Sequence, residues 1–503
     1  MPATLAGQSP GEDRAVPAFD RHARRGVWIA ALITVLGAAI VYAGKAADER
    51  SAFIRWRHQV LEFVDGLNIY EKYFFPNPPI MPLSLYPFMA LPPVVGAVAW
   101  FGFKVILVTL SAWLLMRMVK RPEVTAAEEV GSWLRNFKNL VHRAVAPNAI
   151  LPPAEVPSRP IPSWVQASIV IVSLRPIMSD LHHGNNNLLI LSLVVATLAA
   201  WRKGYDVLAG LILAFAITYK VTPGLFLVYF AYRRSWRTLG ACGLGLGAFF
   251  FVVPSLFIGV GFNGECLGMW WKKILSPFVM SDVAGVQEIN QSMIGVVMRL
   301  VTAQTGTDRY SVQLQHLNLL ALDPRSVVLA LKAASFASLL LLAWLCRTKA
   351  TRRDDPRLLG EFSLIVLAML FLSERSWKHH YVTLLLPYTY LTYRAFDRSI
   401  PGRSRGVIGG AVILSFLLIA STSTEVGGMF ANGQGHKIAQ FYGMYFWAGV
   451  VLFAATAWRV RVESAGDPVV AEPGRSFLPP PHGRRAARFS PFETAAPGPP
   501  ETT

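Results

Sequence analysis

Length, composition and charge exclude an ordinary soluble domain. The chain has 503 residues, of which 53% are hydrophobic and 16% are charged, against about 25% charged in soluble domains. The net charge of +18 would suit a nucleic-acid binder, but the basic residues fall in short clusters between long apolar runs, which excludes that class and indicates a polytopic membrane protein. Three widely separated cysteines (Cys242, Cys266, Cys346) form no CxxC pair and no disulfide framework.

A helix needs about 20 apolar residues to cross a bilayer, with a range of roughly 17–25. By that measure the sequence predicts about twelve transmembrane helices, some of them short. They lie at 27–44, 93–116, 164–179, 187–201, 205–219, 221–232, 238–261, 326–346, 359–374, 380–393, 406–424 and 441–458. The first is read as a retained helix rather than a cleaved leader, because a basic segment, 1–26, precedes it and the cleavage pattern after it is weak. The pair 205–219 and 221–232 reads as one helix hinged at Lys220-Val221-Thr222-Pro223, where proline removes a backbone donor. Alternating the segments from a cytoplasmic N-terminus puts about twice as many Lys and Arg inside as outside, so both termini are expected in the cytoplasm.

This topology divides the chain into a cytoplasmic segment 1–26, a transmembrane unit 27–460 and a disordered, Pro-, Gly- and Arg-rich cytoplasmic tail 461–503. Within the unit lie an outer loop 45–92, an amphipathic cytoplasmic insertion 118–163 and an outer segment 262–325. The polar clusters then collect on the outer face. Asp48-Glu49-Arg50 follows the first helix, where adjacent carboxylates suit a general base or a metal ligand, or merely flank the helix. Asp65 reads as a turn residue. Phe75-Pro76-Asn77-Pro78-Pro79 stiffens the same loop.

Arg175-Pro176 leads to Asp180-Leu181-His182-His183-Gly184-Asn185-Asn186-Asn187 at the entrance to the next helix. Those asparagines either cap the helix or, having donors and an acceptor, bind sugar hydroxyls and phosphate. Arg175 and Lys220 are cations at or near the membrane, where an anionic partner is expected. Trp270-Trp271-Lys272-Lys273 looks like an interfacial anchor. Asn290-Gln291-Ser292 before 293–300 reads equally as capping or binding. Glu374, Arg375, Trp377, Lys378, His379 and His380 form a charged cluster between two apolar runs. Carboxylates, amides, paired histidines and membrane-depth cations on one face fit a lipid-phosphate substrate.

These motifs resemble glycosyltransferase family 87, which includes polyprenol-phosphate-mannose-dependent mannosyltransferases. The resemblance rests on Arg175-Pro176, Gly184 to Leu188, Ala209-Gly210 and Lys220-Val221-Thr222-Pro223, then Asn290-Gln291-Ser292 with Arg299, and Ser376-Trp377-Lys378-His379-His380 with Pro387. The first outer loop contributes Gly66, Tyr70, Pro78-Pro79 and Leu91-Pro92. Where the family has Gly-Gln-x-Asn, this chain has Gly184-Asn185-Asn186-Asn187. The resemblance implies a GT-C membrane fold and an inverting transfer of a hexose, mannose by default, from a polyprenyl-phosphate donor to a lipid or glycan acceptor. It places the site on the extracytoplasmic face of the plasma membrane, with no cofactor required. It implies a first-loop carboxylate base, Asp48 or Glu49, with His379 and His380 as further catalytic residues. By analogy, Arg175, Lys220, Asn185, Asn187, Asn290, Gln291, Ser292 and Trp377 hold donor and phosphate. A divalent metal is not indicated, although Asp48-Glu49 leaves it open. The alternative reading is a transporter or flippase of a lipid-linked sugar or other anionic lipid; that class favours inverted repeats, and this sequence has no convincing one.

Overall fold

The computed structural model describes residues 18–120, 161–276, 285–303, 317–348 and 352–464. Most of the insertion 118–163, nearly all of the tail 461–503 and the first part of segment 1–26 lie outside the described residues.

The described chain is helical. In order its principal helices are α1 (Ala18–Ala47), α2 (Ala52–Val64), α3 (Ile80–Met89), α4 (Pro93–Val119), α5 (Ser163–His183), α6 (Asn187–Arg202), α7 (Asp206–Tyr219) and α8 (Leu225–Tyr232). They continue with α9 (Trp236–Ile258), α10 (Val260–Trp270), α11 (Met293–Val301), α12 (Pro324–Leu345), α13 (Pro356–Phe371), α14 (Leu385–Phe396), α15 (Gly402–Ala420) and α16 (Met444–Ser464). Several starts are written in the sequence: Asp323 and Asp355 cap α12 and α13 by accepting from the amides of Ser326 and Arg357, and proline follows each cap.

Five of these helices are long and apolar enough to cross a membrane, and a sixth follows if Gly435–Phe441 and α16, bent by 56°, count as one span. The protein is therefore a multi-pass helical membrane protein. The other expected spans do form helices; α5 has 21 residues, but most fall short of membrane length, as α6 with 16 residues and α7 with 14, about 24 and 21 Å at 1.5 Å per residue. The segment 45–92, expected as an outer loop, differs from a plain connector, since α2, a short helix Ile69–Lys72 and α3 occupy much of it.

Helices α13 and α14 form the centre. Every residue from Leu358 to Leu370 and from Leu385 to Arg394 is buried, so both helices are enclosed on all sides by others, with the polar Glu361 and Arg394 paired. Around them α7 and α9 approach closely at two glycines. A Cβ on Gly210 would lie 2.8 Å from the Cys242 amide nitrogen, and one on Gly245 would lie 2.6 Å from Ala214 Cβ. The Ala209-Gly210 motif is thus a helix-packing feature.

Contacts between helices define two ends of the bundle. At the lower end Arg202 of α6 donates to the carbonyl of Met118, Arg353 pairs with Asp206, Arg233 with Glu361, and Arg394 with Asp397 and Glu463. At the upper end meet the C-termini of α5, α7 and α13 and the N-termini of α6 and of the 3-10 segment Lys378–Leu384 that leads into α14.

Candidate functional site at the upper end of the bundle

Helix α5 ends because Gly184 adopts a left-handed conformation (φ 72°) and its amide returns to the carbonyls of Asp180 and Leu181. A Cβ there would meet the Tyr42 hydroxyl of α1 and stand 3.2 Å from Phe53 of α2. The corner is further held by Trp100, whose indole nitrogen donates to the Gly184 carbonyl at 3.2 Å. The turn carrying Asp48, Glu49 and Arg50 joins Tyr42 to Phe53 and so runs beside this corner. Glu49 itself is left-handed (φ 56°), and both carboxylates are exposed, with Asp48 paired to Arg50.

The asparagines after the corner do not cap α6 with their side chains. The cap comes from the preceding helix. The Asp180 carboxylate, fully buried, accepts from the Asn187 amide nitrogen at 3.3 Å, from Asn187 Nδ2 at 3.0 Å and from the Leu188 amide at 3.4 Å. Lys104 of α4, also fully buried, donates to the Asp180 carbonyl at 2.9 Å and lies 3.5 Å from its Oδ2. On its other side Asn187 accepts from Lys220 Nζ at 2.8 Å. Lys220 stands in the extended break after α7, where Asn77 of the proline-rich loop donates to the Tyr219 carbonyl at 2.7 Å.

A narrow cavity opens here. It is lined by Asn187, Lys220, Thr222, Ser373, Ser376, His380 and Thr383, with Ile190, Met369 and Leu370 as its apolar wall. Of the residues expected from sequence, Asn187, Lys220 and His380 therefore share one cavity. Beside it, His379 lies 4.9 Å from His380, 5.4 Å from Trp377 and 5.4 Å from His183, ring to ring. The Trp377 amide donates to His380 Nδ1 at 3.3 Å, and His183 Nδ1 donates to the Ser179 carbonyl at 2.7 Å. Burial pushes the Lys378 ammonium below its usual range, and the charges of Arg175 and Lys45 push it the same way. Burial likewise holds His379 well below the usual imidazole range, with His183 and Lys220 adding to it, so this ring is neutral near pH 7. Arg175 is half-buried on α5, within electrostatic range of Glu425 and outside the cavity lining. Among the described residues none of Lys45, Arg175, Lys220 or Lys378 has a carboxylate within ion-pair distance.

Asn290, Gln291 and Ser292 have a different place. Asn290 Nδ2 donates to the carbonyls of Gly285 and Glu374, and its Oδ1 accepts from the amides of Ser292 and Ser376. Gln291 Nε2 donates to the carbonyls of Glu288 and Gln440, and Ser292 caps α11 through the Gly295 amide. Arg299 gathers the carbonyls of Gln287, Asn290 and Phe441. These buried side chains fix the segment 373–376, whose Ser373 and Ser376 line the cavity. Asn185 is buried outside the lining, and Trp377 is partly exposed. Trp270 is no surface anchor: it is buried and donates to the Pro76 carbonyl, while Trp271 is exposed. Sequence reasoning missed Asp180 and Lys104 as parts of the site. The available signal was a carboxylate and a lysine each set among apolar helical residues. Among the described residues no group of three or more His, Cys, Asp or Glu side chains converges as a metal site.

Fold and site together define a multi-pass, all-helical membrane protein with a cation-bearing polar cavity at one end of its bundle. Residues 74–373 match glycosyltransferase family 87, and the chain belongs to that family. A polyprenol-phosphate-mannose-dependent alpha-(1-2)-phosphatidylinositol mannoside mannosyltransferase of Mycolicibacterium smegmatis is 26% identical over 325 residues. The match covers 62% of this chain and 60% of that protein, so less than two thirds of the relative's length is spanned. Family 87 carries with it the GT-C fold.

Proposed function

We propose that the protein transfers a hexose, mannose in the first instance, from a polyprenyl-phosphate donor to a lipid or glycan acceptor at the upper end of the bundle. The observation that carries this reading is Lys220. It is a cation without a carboxylate partner among the described residues, held by Asn187 in a cavity whose lining includes the apolar Ile190, Met369 and Leu370. A lipid phosphate supplies the charge that this cation lacks and an apolar tail for the wall. Family 87 membership and the named activity of the mycolicibacterial relative support the same donor class.

In the proposed reaction Lys220, together with Arg175 and Lys378, balances the donor phosphate. Asp48 or Glu49 accepts the proton of the acceptor hydroxyl. That oxygen forms a bond to the anomeric carbon as the bond from carbon to phosphate oxygen breaks, with inversion, and polyprenyl phosphate leaves. The exposed turn at 48–50 is open to an acceptor arriving from water or the membrane surface. His379, neutral near pH 7, and His380 stand where they can hydrogen-bond the donor. Trp377 offers a ring to the sugar, while Asn290, Gln291 and Ser292 act on the donor through the segment they fix. The reaction as written uses no cofactor and no metal.

Twelve crossings with both termini in the cytoplasm is the topology we favour. The helices follow the twelve apolar runs, and the arginine-rich lower end agrees with the positive-inside rule. The upper end then faces outward from the plasma membrane.

The test is transfer of label from polyprenyl-phosphate [3H]mannose to a membrane lipid extract by the purified protein in liposomes. A labelled product, absent with the Asp48→Ala/Glu49→Ala double variant, is expected. Full transfer by the double variant removes both carboxylates from the mechanism, and failure of every polyprenyl-linked sugar to donate overturns the transferase reading.

A further inference from the structure

The buried pair Lys104 and Asp180 sits behind the cavity rather than in it, and the proposed reaction does not use it directly. Its geometry nevertheless reaches the cavity through one side chain. A carboxylate can only accept hydrogen bonds and an ammonium can only donate them, whereas a carboxamide does both from opposite atoms. Asn187 stands between the two kinds of group. Its Nδ2 donates to Asp180 Oδ1 at 3.0 Å and its Oδ1 accepts from Lys220 Nζ at 2.8 Å. Turning the amide over would set its oxygen against a carboxylate and its NH2 against an ammonium. The carboxylate therefore dictates which end of Asn187 faces the cavity. Lys104 makes that carboxylate tolerable, because an unpaired charge with no exposure would be strongly disfavoured. Asp180 also accepts from the amides of Asn187 and Leu188, so the backbone that carries Asn187 is fixed with the side chain.

We infer that Asp180, neutralised by Lys104, is a positioning residue: it sets the orientation of the Asn187 amide and thereby the seat of Lys220 for the donor phosphate. The relay runs from α4 through the end of α5 and the start of α6 to the break after α7, and none of its first two members touches substrate. It rests on the reading of Lys220 as the phosphate cation.

The test uses the full-length protein in detergent and its affinity for farnesyl phosphate, a short isoprenyl phosphate. Four proteins are compared: wild type, Lys220→Met, Lys104→Met/Asp180→Asn, and the triple variant. The paired substitution removes both buried charges together, so no uncompensated charge is left. Lys220→Met and the pair should each weaken binding about tenfold, the loss expected for a hydrogen bond to a charged group. The triple variant should bind no more weakly than Lys220→Met alone, because the pair acts only through that lysine. Multiplying losses in the triple variant, or wild-type affinity in the pair, overturns the inference. If the pair does not accumulate, Asp180→Glu keeps the charge beside Lys104 while displacing the carboxylate from Asn187. It should weaken binding in the wild-type background and do nothing in the Lys220→Met background; any other pattern overturns the inference. Wild-type affinity in Lys220→Met, or no binding by wild type, overturns the phosphate reading itself.

Discussion

The two ends of the bundle differ in how their cations are partnered. At the lower end most of the cations have carboxylate partners: Arg353 forks onto Asp206 at 2.6 and 3.1 Å, Arg233 onto Glu361, which also accepts from the Tyr229 hydroxyl, and Glu463 sits between Arg394 of α14 and Arg459 of its own helix, whereas Arg202 donates to the carbonyls of Met118 and Arg353. At the upper end Lys104 has such a partner, Asp180, and the exposed Arg50 has Asp48, while Lys45, Arg175, Lys220 and Lys378 have none among the described residues. Charges neutralised within the chain fasten helices together. Charges left without a carboxylate beside a cavity are available to an anion from outside. In the proposed reaction the same residue types serve architecture at one end and binding at the other, and the presence of a counter-charge distinguishes the two.

Substitutions at each end should separate these roles. The largest effect is expected from the Asp48→Ala/Glu49→Ala double variant, which should abolish transfer yet accumulate normally, because both side chains are exposed; turnover per milligram of folded protein measures it. Next, Lys220→Met should lower kcat/KM for the donor by an amount equivalent to about 2.7–4 kcal/mol, as for loss of one charge-stabilising donor, with an unchanged melting temperature. At the lower end Glu361→Ala strands Arg233 in a buried position and should cost about 3–5 kcal/mol of stability, read as earlier unfolding in detergent, while the folded fraction retains its donor KM. Smaller still, Gly210→Ala should lower the melting temperature by pushing α7 from α9, since its new methyl would stand on the Thr238 carbonyl. Arg50→Ala breaks only an exposed ion pair and should leave stability unchanged within error; any loss of activity there would report on Asp48 rather than on the fold.

Much of this was legible in the sequence, for identifiable reasons. Apolar runs marked the helices well: the run 187–201 became Asn187–Arg202 and 326–346 became Pro324–Leu345. Apolarity did not mark α2, whose Arg55, Arg57 and His58 read as loop. Nor did it establish how many helices cross the membrane, because central helices such as α13 are enclosed by protein and need not be long. Within the site, Lys220, Asn187 and His380 stood out as polar residues where polarity is expensive. Asp180 and Lys104 were equally visible as charges but not as a pair, since 76 residues separate them and only the packing of α4 against the α5 corner joins them. The Asn290-Gln291-Ser292 block was left between capping and binding because its partners, Glu374 and Ser376, lie more than 80 residues away. Once those partners are in place, the block reads as the support of one cavity wall.

The contrast between the ends is tested most directly by sugar transfer per folded molecule for two single variants, Lys220→Met and Arg353→Met, normalised by the amount of monodisperse protein. Transfer should collapse in the first and persist in the second, whose loss appears instead as lowered stability. Equal transfer by the two folded variants would contradict the assignment of the upper cavity as the site of reaction.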